Sequence, residues 1–275
     1  MSQKQRGLCA AFARLHEGTG AFVIPNPFDT GSALYLASLG FKALATSSAG
    51  AAWTMGRSDM HATRDMMLAH IAAVAGAVDV PVNADFEACY GADEAEVAAS
   101  VRLCVEAGVA GLSIEDFAGG AFYSRGVAVR RMRAAQAAIK ASGMPVLLAA
   151  RSEAVLHGHP DGLKEAIARL ELFAAEGADV LFAPGLRTIA DVKLVVKAVA
   201  PKPVNVIASM PFFTLRELED AGVRRVSVGS SLARSAWGGF MRAAKEIAEH
   251  GTFGAFAEGA PFAEVNALFA KRGGG

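Results

Sequence analysis

Two carboxylates end a predicted buried strand in the stretch Val80-Pro-Val-Asn-Ala-Asp-Phe-Glu-Ala-Cys-Tyr-Gly91. Asp85 and Glu87 are two positions apart, and in an extended chain such residues point to the same face. Two carboxylates on one face repel each other unless a proton or a cation lies between them. The hard, oxygen-preferring ions Mg²⁺ and Mn²⁺ suit this arrangement. The spacing therefore predicts a divalent metal site at Asp85 and Glu87.

Polar residues also follow other predicted strands. They are Ser47, Ser48 and Asp59 after the second strand, Glu115 and Asp116 after the fourth, Arg151, Ser152 and Glu153 after the fifth, and Asn205 and Ser209 in the seventh. We expect the acids to hold a cation, mostly through water, and Arg151 with backbone donors to hold an anionic substrate. The alternatives are helix caps and surface ion pairs for the acids, and a structural salt bridge for Arg151.

The elements that must position these residues alternate between short apolar strands and amphipathic helices. Strands are predicted around 21–27, 43–48, 80–87, 111–117, 145–153, 179–185, 203–209 and 225–230, and helices lie between them. Eight such repeats predict a parallel (β/α)₈ barrel, preceded by a helix at 3–17 and followed by extra C-terminal helices. In such barrels the active site lies at the carboxyl ends of the strands. An open doubly wound sheet is disfavoured because no Gly-x-Gly-x-x-Gly turn follows the first strand.

Two stretches are predicted to be irregular. Residues 49–61 and 118–125 are rich in polar residues or glycine and are interpreted as loops. His157 and His159 lie in a Gly/Pro-containing loop and are interpreted as solvated rather than catalytic. Cys89 is interpreted as a small buried thiol.

Composition restricts the class of protein. The 275 residues fit one barrel domain over 1–275, and a formal net charge of zero gives no reason to expect nucleic acid or an anionic membrane as a partner. Cys9, Cys89 and Cys104 follow no disulfide or metal spacing, which predicts a reducing cytoplasm. The N-terminal residues do not resemble a signal peptide, and no apolar run is long enough to span a membrane.

Five motifs resemble those of the isocitrate lyase and phosphoenolpyruvate mutase superfamily, in the right order and between about residues 7 and 250. They are Pro25-Asn-Pro-Phe-Asp29, Thr54-Met-Gly-Arg-Ser-Asp59, Asn83-Ala-Asp-Phe-Glu-Ala-Cys-Tyr-Gly91, Ser113-Ile-Glu-Asp116 and Ala150-Arg-Ser-Glu-Ala154. The resemblance implies a Mg²⁺-dependent enzyme that makes or breaks a C–C or P–C bond next to a 2-oxo acid.

The resemblance also implies roles for single residues. Asp85 would bind the metal directly, whereas Glu87, Glu115 and Asp59 would do so mainly through water. Ser47, Ser48 and Ala49 would bind the substrate carboxylate, and Arg151 would polarise the 2-oxo oxygen, so that metal and arginine stabilise an enolate. We therefore expect Arg151, Asp59 and Glu115 to be the catalytic residues, with Asp85 and Asn205 also contacting the substrate.

Departures from the family pattern narrow the prediction. The lyases of this superfamily carry a Cys-containing loop after strand four, but residues 118–125 contain no Cys, His or Lys. A lyase glutamate after strand six is replaced by Ala183-Pro-Gly185, and the Asn-containing gating loop of the mutase is absent. The prediction is thus not an isocitrate or methylisocitrate lyase, but an enzyme that decarboxylates or cleaves oxaloacetate or a close relative. The alternatives are a carbon–phosphorus enzyme, such as a phosphonomutase or phosphonopyruvate hydrolase, and a 2-oxo acid binding protein with little turnover.

The C-terminal segment 251–275 is predicted to be a helical extension at a subunit interface. Residues 251–260 are rich in Gly and Ala, and a predicted helix at 261–272 carries an apolar stripe of Phe262, Val265, Leu268 and Phe269. Such a stripe must be buried. In the resembling family the last helices exchange between subunits, so we expect a helix-swapped homodimer or homotetramer.

Overall fold

The computed structural model describes residues 2–270 and contains a sheet of eight parallel strands. The strands are β1 (Phe22–Ile24), β2 (Leu44–Ala45), β3 (Val82–Asp85), β4 (Gly111–Glu115), β5 (Phe117–Ala118), β6 (Ala121–Phe122), β7 (Leu147–Arg151), β8 (Val180–Phe182), β9 (Val204–Ile207) and β10 (Arg225–Ser227). The sheet runs β1-β10-β9-β8-β7-β4-β3-β2, and β5 and β6 form a separate antiparallel hairpin. The Ala45 N–H donates to the Pro25 carbonyl at 3.1 Å, which nearly closes the sheet into a barrel.

Helices surround this barrel. They are α1 (Gln3–His16), α2 (Thr30–Ser38), α3 (Ser48–Thr54), α4 (Arg64–Ala77), α5 (Glu94–Glu106), α6 (Arg125–Ser142), α7 (Gly162–Ala175), α8 (Ile189–Val199), α9 (Leu215–Asp220), α10 (Ser231–His250) and α11 (Phe262–Ala270), with a 3₁₀ helix at Gly254–Glu258. Side chains cap most of their N-termini; for example, Asp29 accepts from Ser32 N–H at 2.7 Å. The predicted (β/α)₈ barrel with its N-terminal helix and additional C-terminal helices is confirmed.

Helix α1 closes the amino end of the barrel. Phe12 is fully buried against Gly111, where an added Cβ would lie 2.6 Å from the Phe12 ring and 2.8 Å from Asn83 Oδ1. The Gln5 side chain donates to the carbonyls of Val105 and Val109 at 2.7 and 3.1 Å. This plug leaves the carboxyl ends of the strands as the accessible end of the barrel.

Two predicted loops are partly ordered secondary structure. Residues 49–54, predicted as loop, lie in helix α3 together with Ser48, which was predicted as the end of a strand. The helix forms because the Ser47 hydroxyl caps it at Gly50 N–H and small residues allow it to pack closely on the barrel. The predicted loop 118–125 contributes to the β5–β6 hairpin, whose turn residues Gly119 and Gly120 have φ of +58° and +80°. Both elements lie beside the predicted site.

The C-terminal helices extend from the barrel with apolar faces open to solvent. Phe240, Phe253 and Phe262 are 63%, 63% and 84% exposed. The helix predicted at 261–272 is described as Phe262–Ala270, and its last predicted residues lie outside the described chain. None of the helices within residues 2–270 has both the length and the hydropathy needed to cross a membrane.

Candidate active site

Asp85 is held at the carboxyl end of β3 by two backbone contacts. Its N–H donates to Thr46 Oγ1 at 2.9 Å, and its Oδ2 accepts the Ser48 N–H at 2.9 Å. The second contact comes from the first turn of α3, where Ser47 is the N-cap residue and Ala49 is half-buried. The structure therefore places the first turn of α3, which is predicted to bind the substrate carboxylate, next to Asp85.

Arg151 lies among carboxylates at the end of β7. Its Nη1 is 3.6 Å from Asp85 Oδ1 and 3.5 Å from Glu115 Oε2, and its Nε donates to Glu153. Burial alone would lower the pKa of the guanidinium, but Glu153, Glu115 and Asp85 raise it above its ordinary value. Arg151 is therefore a fixed cation whose Nη1 faces Asp85 and Glu115, two acids of the predicted metal site.

The position of Glu87 differs from the prediction. Strand β3 ends at Asp85, and Glu87 lies in a turn with φ of +46°. The side-chain alternation of an extended strand therefore does not determine where the Glu87 side chain points. Cys89 and Tyr90 also have positive φ, of +68° and +51°, which is a costly conformation for residues other than glycine. The turn nevertheless buries Glu87 near Asp85 and Asp59, whose charges both contribute to its titration.

Asp59 belongs to the exposed loop after α3. Its Oδ1 accepts from Met60 N–H at 3.0 Å and lies 3.5 Å from the Ser48 hydroxyl. Partial burial against the barrel rim, followed by the charge of Asp85, raises its pKa. The loop thus brings the predicted acid to the edge of the site.

The carboxylates of the site carry more negative charge than Arg151 neutralises. Burial raises the pKa of Glu87 to about 7, and burial together with Glu153, Asp85 and Glu87 holds the pKa of Glu115 well above its ordinary value. Glu87 Oε1 is buried, and no group within residues 2–270 forms a hydrogen bond with it. A divalent cation would satisfy both features, so the donor set fits the predicted Mg²⁺.

A cation here would have few direct protein ligands. Within residues 2–270, no three His, Cys, Asp or Glu side chains converge closely enough to enclose a metal ion. Mg²⁺ commonly retains several waters and uses one or two carboxylates. The arrangement is thus compatible with Asp85 as a direct ligand and with water between the ion and Asp59, Glu87 and Glu115.

Asp116 supports the site from behind. Its Oδ1 accepts the Glu153 N–H at 2.8 Å, and its Oδ2 accepts from Arg169 Nη1 at 3.0 Å. Arg169 is buried and also donates to Glu165 at 2.7 Å. This network fixes the chain after β7, and therefore the direction of Arg151.

His157, predicted to be solvated, is half-exposed and packed. Its ring stacks on Phe117 of the hairpin at 3.9 Å, and its Nε2 is 3.4 Å from Glu153 Oε2. Cys89, predicted as a buried thiol, has no exposed surface, and burial raises its pKa to about 12. Neither residue contacts Asp85 or Arg151 directly.

Asn205 lies deeper than the other predicted site residues. It lines the same interior cavity as Asp85 and Arg151, but its Oδ1 accepts from Arg225 Nε at 2.9 Å and its Nδ2 donates to Ser227 at 3.0 Å. Sequence reasoning missed Arg225 as a residue of this cavity. The sequence does contain a sign of this role, since Arg225 is a charged residue at the start of a strand whose other residues predict burial.

A groove of about 700 Å³ opens beside the cluster, between the loop after α3, the turn of Glu87 and the hairpin. Glu87, Tyr90, Phe117 and Tyr123 line it. The hairpin occupies the place after strand four where the resembling lyases carry a Cys-containing loop, and it supplies no Cys, His or Lys. Glu87 therefore faces the groove without a basic side chain from this segment.

Residues 12–248 match the sequence family described as phosphoenolpyruvate phosphomutase. The chain belongs to this family. Among curated relatives, an uncharacterized protein of Mycobacterium tuberculosis (strain H37Rv) is 32% identical over 222 residues, covering 80% of this chain and 82% of the relative. The 2-methylisocitrate lyase of Escherichia coli K12 is 29% identical over 215 residues, covering 73% and 71%.

Solved structures agree with this placement in the isocitrate lyase and phosphoenolpyruvate mutase superfamily. A candidate lyase/mutase from Burkholderia cenocepacia J2315 has a TM-score of 0.93 at 44% identity and covers 98% of both chains. A candidate phosphonomutase from the same organism has a TM-score of 0.80 at 30% identity, covering 90% of this chain and 100% of that one. Oxaloacetate acetylhydrolase in complex with oxalate has a TM-score of 0.84 at 27% identity and covers 98% of both chains.

Proposed function

We propose that this protein is a Mg²⁺- or Mn²⁺-dependent enzyme that cleaves a C–C bond in a small 2-oxo dicarboxylate, with oxaloacetate as the simplest substrate. The observation that carries the proposal is the cluster in which Arg151 Nη1 faces Asp85 and Glu115 at 3.6 and 3.5 Å. The similarity to oxaloacetate acetylhydrolase over 98% of both chains supports the substrate class.

Different residues of the site bind the substrate and stabilise the negative charge that develops on it. The first turn of α3, from Ser47 to Ala49, offers hydroxyl and backbone donors to a substrate carboxylate. Arg151 donates to the 2-oxo oxygen as negative charge develops there, and Glu153 and Asp116 keep the guanidinium in place. Asp85, with Asp59, Glu87 and Glu115 around it, would hold the divalent ion, which would supply Lewis-acid stabilisation of the developing negative charge.

Two reactions are compatible with this site and differ in their products. Decarboxylation converts oxaloacetate and a proton into pyruvate and CO₂. Hydrolysis of the bond between C2 and C3 converts oxaloacetate and water into oxalate, acetate and a proton. Neither reaction begins with a proton from a loop cysteine, which agrees with the hairpin that replaces that loop.

Proton NMR of purified protein with oxaloacetate and Mg²⁺ tests the proposal, because pyruvate and acetate give separate signals. We expect turnover above the spontaneous rate, which chelation stops and Asp85→Asn abolishes. Asp65→Asn is the matched control, since this aspartate is exposed on α4 and outside the cluster. Undiminished turnover in Asp85→Asn would contradict the mechanism.

A carbon–phosphorus reaction is the second candidate. It is favoured by the match to the phosphoenolpyruvate phosphomutase family and by the 30% identity to a candidate phosphonomutase. Phosphorus NMR with phosphonopyruvate separates the outcomes, since a mutase yields phosphoenolpyruvate and a hydrolase yields inorganic phosphate with pyruvate. Thermal stabilisation by 2-oxo acids without any product would favour a binding protein instead.

A further inference from the structure

The barrel interior below the carboxylate cluster contains a polar cavity of about 40 Å³. Asp85 and Arg151, the last residues of β3 and β7, line it at the carboxyl end of the strands. Arg225, at the start of β10, and Asn205, in β9, line it from deeper in the barrel. The cavity therefore continues the active site towards the barrel floor.

Arg225 carries a buried charge that no acid neutralises. The residue is 3% exposed, and no carboxylate among residues 2–270 forms an ion pair with it. Its Nε and Nη1 donate to neutral amides, Asn205 Oδ1 at 2.9 Å and Asn83 Oδ1 at 3.4 Å. Because burial disfavours the charged form, the pKa of Arg225 falls to about 9. Leaving such a charge uncompensated is costly, so a counter-ion would stabilise it.

The deep end of the cavity offers hydrogen-bond donors. Arg225 has further guanidinium N–H groups beyond the two that are engaged. Ser227 Oγ accepts from Asn205 Nδ2 at 3.0 Å, which leaves the hydroxyl proton free to donate. A site with spare donors and a positive charge selects an anion.

The volume limits the size of that anion. A water molecule needs roughly 10–15 Å³ of such space, so the cavity is larger than one water requires. It has room for a halide or for a single carboxylate group.

We propose that Arg225, with Ser227 and Asn205, binds a monovalent anion in this cavity, either a free halide or a carboxylate group of the substrate. The halide form is independent of the proposed reaction. The carboxylate form rests on the proposed function and makes Arg225 a specificity-determining residue for a 2-oxo dicarboxylate.

The free anion is tested first without any substrate. Crystals soaked in bromide should show an anomalous peak within hydrogen-bond distance of Arg225, and Arg225→Met should lose it. In solution, chloride should raise Tm by about 3 °C at ten times its dissociation constant, relative to gluconate at equal ionic strength. If Arg225→Met does not fold, Ser227→Ala takes its place and should weaken the response.

Arg131→Met is the matched control for loss of a buried arginine. Arg131 is 2% exposed and donates to the Ala88 carbonyl at 2.6 Å, and it does not line the cavity. This variant should have a lower Tm than the wild type, but chloride should raise its Tm by the same amount as it raises that of the wild type.

Steady-state kinetics with oxaloacetate separates the two sources of the anion. If the substrate carboxylate occupies the site, bromide competes with oxaloacetate and Arg225→Lys raises KM at least tenfold with a smaller change in kcat. If the anion is free, the bromide peak and the Tm increment appear without any effect on KM. Water alone in the cavity, no halide dependence of Tm and an unchanged KM would together overturn the proposal, whatever reaction the enzyme catalyses.

Discussion

Within residues 2–270, Arg151 is the one cation that forms ion pairs with Asp85 and Glu115. We expect Arg151→Lys to lower kcat/KM for the proposed substrate about 100-fold and Arg151→Met about 1000-fold, since each removes oriented donors from the developing oxyanion. The measurement is oxaloacetate turnover at saturating Mg²⁺.

Arg133→Lys is the control for this change, because Arg133 forms an exposed pair with Glu176 away from the site. Its activity should equal that of the wild type. An Arg151→Met variant that retains most of its activity would show that the guanidinium only balances Glu153 and does not take part in the reaction.

Glu87 should make the free energy of unfolding of the metal-free protein depend on pH. Its pKa is raised from 4.5 to about 7, chiefly by burial. Between these values the folded state binds more protons than the unfolded state, so stability falls as pH rises from 4.5 to 7. The total loss attributable to Glu87 is about 3 kcal/mol, and Glu87→Gln should remove it.

Urea unfolding in the presence of a chelator, at several pH values from 4.5 to 8, measures this slope. Glu115 contributes in the same direction, so the decisive quantity is the difference between wild type and Glu87→Gln. Identical slopes would mean that Glu87 titrates normally. Added Mg²⁺ should stabilise the wild type at pH 8 more than the variant.

At the residue scale, the sequence identified the acids and the arginine because strand ends are recognisable from apolar runs. Asp85, Glu115 and Arg151 lie together as that reasoning implies. The conformation of Glu87 was not predictable, because its φ of +46° depends on the packing of the whole turn. The place of Arg225 was missed because Asn83 and Asn205, which contact it, are 142 and 20 positions away.

At the element scale, short elements were the hardest to predict. Helix α3 has only seven residues and depends on the Ser47 cap and on close packing of alanines, so its sequence resembles a loop. The hairpin β5–β6 has two-residue strands, which are below the length at which alternation is informative. The long amphipathic helices and the apolar barrel strands were predicted to within a few residues.

Helix α1 ends with a histidine that should make the barrel floor sensitive to acid. The His16 ring packs edge-on against Phe12 and Phe22, with centroids 4.7 and 5.1 Å away. Burial, followed by the charge of Arg225, lowers its pKa to about 3. The unfolded chain binds a proton below about 6.5 and the folded state does not, so stability is lost as pH falls from 6.5 towards 3.

His16→Phe should reduce the loss of stability between pH 6.5 and 4, because it keeps the aromatic packing and removes the titrating group. Loss of the contact between His16 Nδ1 and the Phe12 carbonyl, at 2.8 Å, should cost about 1 kcal/mol at pH 8. Urea unfolding between pH 4 and 8 measures both effects. The exposed His250 provides the control substitution to Phe. If the variant loses as much stability at low pH as the wild type, groups other than His16 cause the acid sensitivity.

At the scale of the whole molecule, the barrel itself was predictable because the strand–helix rhythm repeats eight times. The arrangement of subunits was predicted from the apolar stripe of the last helix and from the resemblance, and it concerns the surface of the C-terminal helices. Trp237, Phe240 and Met241 of α10 are exposed, and a groove of about 510 Å³ lies between this helix and Trp53. Contiguous apolar surface of this kind usually marks a contact with another chain.

We therefore expect a homodimer or homotetramer in which this surface is covered by a second copy of the chain. Sedimentation velocity at micromolar concentration should show the oligomer for the wild type. Phe240→Glu combined with Met241→Glu should shift it towards monomer, because the charges would be buried without partners in the interface. Leu194→Glu, at an exposed position of α8, is the matched control and should leave the oligomer intact. A wild-type protein that sediments as a monomer would refute the subunit arrangement while leaving the chemistry proposed for the barrel untouched.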